Sequence, residues 1–132
     1  MRSCDLIVFS LVACGGSNAP ATTTHPALTF DQACVAQTSF VRTNASCLNC
    51  IATVELPACT CRPSDPFTGK CETESTARTN NADCASALDS CVNKCASDCA
   101  CQKACYSGHD ACLSATEKRD SCVVDVCASV CK

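Results

Sequence analysis

The chain has 132 residues, of which 18 are Cys, and it balances 10 Lys and Arg against 13 Asp and Glu for a net charge of −3. About 14% cysteine in a length suited to one domain, or two small ones, marks a disulfide scaffold. The acidic balance offers no field to a phosphate backbone, and no Trp with a single Tyr offers no stacking surface, so a nucleic-acid partner is excluded.

Large apolar residues are scarce. From Cys14 to the end, Leu, Ile, Val and Phe supply 17 of 119 residues, about 14%. Chains below roughly 20% struggle to fold by apolar burial alone, so covalent cross-links are expected to replace the missing core.

At the N-terminus, Arg2 precedes an apolar run from Leu6 to Ala13. Eight residues at the helical rise do not span a hydrocarbon layer; the order of charge, short apolar stretch and small residues is that of a secretory signal. The tetrad Leu11-Val12-Ala13-Cys14, followed by Gly15-Gly16, resembles the bacterial lipobox. That resemblance implies a signal peptide over 1–13 and lipidation of Cys14 as the first mature residue. With Gly15 rather than Asp after the cysteine, it implies an outer-membrane anchor; a secreted protein is the alternative. Residues 14–29, rich in Gly, Thr, Pro and Asn, read as a flexible tether that leaves His25 solvated.

The expected body is one cysteine-rich domain over 30–132, with 30–72 and 80–132 as candidate subdomains. Thr29 is placed to cap a helix reaching Val41, with Phe30, Cys34 and Val41 inward. Asn44 is placed to cap a second helix, Ala45 to Glu55, where Cys47, Cys50, Ile51 and Val54 share a face. Pro57, Pro63, Pro66 and Gly69 then predict an irregular loop over 56–72, tied by Cys59, Cys61 and Cys71. Glu72 to Asn80 reads as polar and exposed.

From Cys84 to Cys112 the cysteines obey a rule. Cys84, Leu88, Cys91 and Cys95 form one helical stripe, and Cys101, Cys105, Gly108 and Cys112 form another. In an antiparallel pair the numbers of facing residues have a constant sum, and 84 with 112, 91 with 105 and 95 with 101 share one. The spacing therefore predicts an αα-hairpin over about 82–117, stapled by Cys84–Cys112, Cys91–Cys105 and Cys95–Cys101, with Leu88 facing Gly108 for close approach. Asn80 or Asn81 is expected to cap its first helix and Ser97 or Asp98 its second, while His109 is read as a surface residue. Arg119-Asp120-Ser121 interrupts the pattern, and Val123, Val124, Cys127 and Cys131 resume it as a third stripe, with a short strand as the alternative.

The paired motifs Cys91-x3-Cys95 and Cys101-x3-Cys105 resemble the α-hairpinin pattern, whose nested pairing is the same. That family includes protease inhibitors and antimicrobial peptides, but the loop Ala96 to Ala100 carries no Arg or Lys to serve as an inhibitory P1 residue. For the remaining cysteines, the six from Cys34 to Cys71 are expected to close among themselves, leaving Cys99, Cys122, Cys127 and Cys131 to tie the third helix to the hairpin.

No catalytic constellation can be placed. Cys47-Leu-Asn-Cys50 has redox spacing but lacks a βαβ frame, and His25 and His109 complete no nucleophile-base set. No cofactor or metal is expected. The rival reading is a zinc or copper thiolate cluster, because Cys59-x-Cys61 and Cys99-x-Cys101 resemble metallothionein spacing. The leading expectation is a mainly α, non-catalytic, disulfide-stapled envelope lipoprotein, similar to other cysteine-rich lipobox-bearing proteins. It would serve as a structural or interaction module for a protein or polysaccharide partner.

Overall fold

The computed structural model describes residues 24–58 and 66–132, and over these the protein is mainly helical. The helices are α1 (Phe30–Thr38), α2 (Ala45–Thr53), α3 (Glu72–Thr79), α4 (Ser86–Lys94), α5 (Cys99–Cys105) and α6 (Asp110–Cys127). The longest, α6, is the spine, with α1, α2 and α3 packed along it and the α4–α5 hairpin joined at its start.

Local chemistry sets most helix starts. Thr29 and Gln32 form a capping box on α1, and the side chains of Asn44 and Asp98 accept from Ser46 N–H and Cys101 N–H at the starts of α2 and α5. Two other ends differ from expectation. The helix α1 stops at Thr38, and Val41 is exposed, with its N–H donated to Cys131 C=O at 2.9 Å. The first hairpin helix begins at Ser86 with no side-chain cap, because Asn81 instead caps a turn, accepting from Asp83 N–H at 3.0 Å.

The stripe from Cys101 to Cys112 is not one helix. Gly108, at φ +79°, breaks it between α5 and α6. A Cβ built at Gly108 would meet nothing within 4 Å, so the glycine serves the left-handed turn and not a close approach to Leu88. Gly69 meets both demands: its φ is +80° and a Cβ there would lie 2.5 Å from the Cβ of Ala58.

The polar stretch from Glu72 has no fully buried residue, in keeping with its expected exposure, and it forms the helix α3 (Glu72–Thr79), which no apolar stripe announces. Arg119-Asp120-Ser121 does not interrupt a helix but lies inside α6, with Asp120 and Ser121 buried. Partners satisfy both: Arg119 donates two hydrogen bonds to the Asp120 carboxylate, and Ser121 Oγ donates to Glu117 C=O and accepts from Leu28 N–H. The segment Val123–Val126 continues the helix, so the strand alternative falls.

Seven bridges join the described cysteines: Cys34–Cys99, Cys47–Cys131, Cys50–Cys127, Cys71–Cys122, Cys84–Cys112, Cys91–Cys105 and Cys95–Cys101. The expected closure of Cys34 to Cys71 among themselves does not occur for Cys34, Cys47, Cys50 or Cys71. The face of α2 carrying Cys47 and Cys50 lies against the end of α6, where Cys131 and Cys127 run in the opposite order and supply two facing rungs.

The core divides in two. One cluster gathers Cys47, Cys50, Val54, Cys71, Cys122, Val123, Cys127 and Cys131, so three cystines and two valines are its buried substance. The other gathers Phe30, Cys34, Leu88, Tyr106 and Cys112, with the rings of Phe30 and Tyr106 tilted at 5.4 Å between centroids.

Candidate functional site

Every described cysteine is half of a bridge, so no described thiol is free to act as nucleophile or thiolate ligand in the oxidised protein. Cys14, the expected lipidation site, and Cys59 and Cys61 of the loop lie outside the described residues. Functional groups must therefore be sought among the polar side chains, and these collect around α6.

The stretch leading into α1 is docked rather than free. Thr24 to Thr29 runs along α6, held by Leu28 N–H to Ser121 Oγ at 2.9 Å and Phe30 N–H to the Glu117 carboxylate at 2.9 Å. His25 is consequently not solvated: its side chain is 10% exposed. Its Nδ1 lies 2.9 Å from the Asp125 carboxylate, and its Nε2 lies 3.2 Å from Cys122 Sγ, a member of the Cys71–Cys122 bridge. An ionised carboxylate only accepts, so Nδ1 carries the proton and, in the neutral ring, Nε2 presents a bare lone pair to the sulfur.

Glu74 on α3 approaches from the other side. A carboxylate oxygen of Glu74, a ring nitrogen of His25 and Cys122 Sγ all lie within 4.8 Å of one another. His25 and Glu74 also line a crevice of about 280 Å³ with Leu28, Ser114, Glu117 and Lys118. A neighbouring hollow of about 490 Å³ shares Glu74, Ser114 and Lys118 and extends over Ala77 and Ala111 between α3 and α6.

A second polar cluster is structural. Arg78 on α3 donates to Thr116 Oγ1 at 3.0 Å and to the Asp89 carboxylate at 2.6 Å, joining α3, α4 and α6. Burial alone would lower its pKa, but the hydrogen bonds to Asp89 and Tyr106 and their charge outweigh that and hold it above the ordinary arginine value. Asp83 acts as a cap from outside the helix: its carboxylate accepts from His109 Nδ1 at 2.8 Å and from Cys112 N–H at 3.1 Å in the first turn of α6. Those two hydrogen bonds, His109 first, hold the Asp83 carboxyl below its usual pKa.

The residues of the His25 corner carry no signal that spacing could reveal. His25 lies 97 residues from Cys122 and in a stretch without periodicity. The one hint is that Cys122 and Asp125, at i and i+3, share a face of any helix through them. Comparison with known proteins adds nothing to this geometry: no family model, curated protein or solved structure matches the chain.

Proposed function

We propose that the protein is a non-catalytic, disulfide-stabilised envelope module, carried by a lipid on Cys14 and presenting its stapled helices to a protein or polysaccharide partner. The observation that carries this reading is the bonding of all fourteen described cysteines in seven bridges. Seven disulfides persist only where thiols are oxidised, outside the reducing cytosol. Among the described residues no helix is long and apolar enough to cross a membrane.

The bridges also set the protein's stiffness. With cystine in place of large side chains, the surface is held in one shape, and ordering costs on binding are small. Metabolic labelling with an alkyne fatty acid in a bacterial host, followed by envelope fractionation, tests the proposal. The full chain is expected to carry the label in the membrane fraction and Cys14→Ser to lose it; an unlabelled full chain recovered from the soluble fractions would overturn it.

A further inference from the structure

We propose that the corner formed by Cys71, Cys122, His25 and Glu74 is a redox-gated zinc site: closed as a disulfide in the oxidised protein, and a four-ligand Zn²⁺ site once that one bridge is reduced. This goes beyond the envelope-module reading and does not depend on it.

The donor set is that of zinc. Two thiolates, one imidazole and one carboxylate are the ligand types a tetrahedral Zn²⁺ takes, at about 2.3 Å for sulfur and about 2.0–2.2 Å for nitrogen and oxygen. The ligand atoms of His25, Glu74 and Cys122 already lie within 4.8 Å of one another, and Cys71 Sγ is bonded to Cys122 Sγ. Ligands around one tetrahedral ion stand roughly 3.3–3.8 Å apart, so shifts of an ångström or so in side chains close the set.

The orientation of His25 is an independent pointer. A histidine ligand to zinc commonly donates its other ring N–H to a carboxylate, which fixes the tautomer and raises the basicity of the coordinating nitrogen. Asp125 does this at Nδ1, and Nε2 faces Cys122 Sγ at 3.2 Å. A disulfide sulfur has no hydrogen to give, so in the neutral ring the Nε2 lone pair faces a partner that cannot satisfy it. A metal ion between Nε2 and the freed thiolates would. The crevice lined by His25 and Glu74 opens on two of the four donors, while both cysteines lie fully buried behind them.

The chemistry balances with a thiol as reductant. Two equivalents of a small thiol such as glutathione reduce Cys71–Cys122 to two thiols and are themselves oxidised to one disulfide. Zn²⁺ then binds both sulfurs, and the two thiol protons leave to water. While this bridge is open, the hydrogen bonds of Arg78 to Thr116 and Asp89 still tie α3, which carries Glu74, to α6 and α4, and both α2–α6 rungs are untouched.

The test equilibrates the full oxidised chain in glutathione redox buffers with and without Zn²⁺, traps thiols by alkylation and quantifies each bridge by peptide mass spectrometry. Zinc is expected to raise the equilibrium constant for reducing Cys71–Cys122 at least tenfold, a shift of about 30 mV for a two-electron couple, and to leave the other described bridges unchanged. The variants His25→Ala and Glu74→Gln are expected to lose most of that zinc-dependent shift, each measured against its own zinc-free equilibrium. As a second readout, Co²⁺ added to the partly reduced chain is expected to give thiolate charge-transfer absorption that Cys71→Ser/Cys122→Ser lacks. An equilibrium indifferent to zinc, a zinc effect that survives His25→Ala, or zinc bound equally well by the oxidised chain would each overturn the proposal.

Discussion

The α4–α5 hairpin and the α2–α6 seam use the same device for different ends. Each has two adjacent rungs across antiparallel helices: Cys91–Cys105 beside Cys95–Cys101 in one, Cys50–Cys127 beside Cys47–Cys131 in the other. With its neighbour intact, a rung in either place closes an effective loop of only about 7 or 8 residues, so the entropic benefit is alike, about 2 kcal/mol in the chain-entropy view. Burial is what differs. Cys50 and Cys127 are fully enclosed and constitute the core, whereas Cys91 is exposed and Cys105 half-buried. Cystine thus has two roles here: it fastens the hairpin, and in the seam it also fills the volume that Leu, Ile and Phe fill in larger proteins.

The largest expected effect breaks the seam. Replacing Cys50 and Cys127 together by Ala should cost about 4 kcal/mol in urea unfolding, about half from the loop and about 1 kcal/mol from each lost buried sulfur. The matched hairpin change, Cys91→Ala with Cys105→Ala, should cost about 2 kcal/mol. Equal costs would remove the distinction between fastener and core.

A smaller effect concerns the polar tie between the two regions. Thr116→Val should cost about 1–2 kcal/mol, because Arg78 Nε loses its acceptor in a half-buried setting. At the tip of the hairpin, Ala96 holds φ 48°, a left-handed conformation following the α4 C-cap. There Ala96→Gly should stabilise by up to about 1 kcal/mol, the steric relief exceeding the added entropy of the unfolded glycine. Smallest is the effect at Asp83, half-buried where the segment before the hairpin meets α6. Its carboxyl is held low in the folded chain, so its contribution is complete above the unfolded value near pH 4 and fades as pH falls through the folded value. The melting temperature of Asp83→Asn should therefore lie below that of the parent at neutral pH, and the two should converge in acid.

The same contrast explains what the sequence discloses. The hairpin's rungs lie 6, 14 and 28 residues apart, and local helical periodicity is enough to pair them on paper. Even there, the turn at Gly108 breaks a stripe that numbering alone makes continuous. The seam joins residues 77 and 84 apart, on stripes spaced i, i+3 and i, i+4, so no constant sum connects them. The helix α3 has no apolar stripe at all and is located by the Cys71–Cys122 bridge and the Arg78 network, both tertiary. The His25 corner is hidden for the same reason. A histidine in a Thr- and Pro-rich stretch takes its meaning only from Asp125 and the bridge that α6 brings to it.

That the α2–α6 cystines form the core while Cys91–Cys105 and Cys95–Cys101 fasten a hairpin is checked first by a non-reducing peptide map. Proteolysis of the alkylated, unreduced chain with tandem mass spectrometry identifies each bridged pair. The expected map contains Cys47–Cys131 and Cys50–Cys127 together with Cys91–Cys105 and Cys95–Cys101, and no alkylated thiol among these eight. Cys47 or Cys50 found bonded within 34–71, or any of the eight carrying the alkyl group, would contradict it.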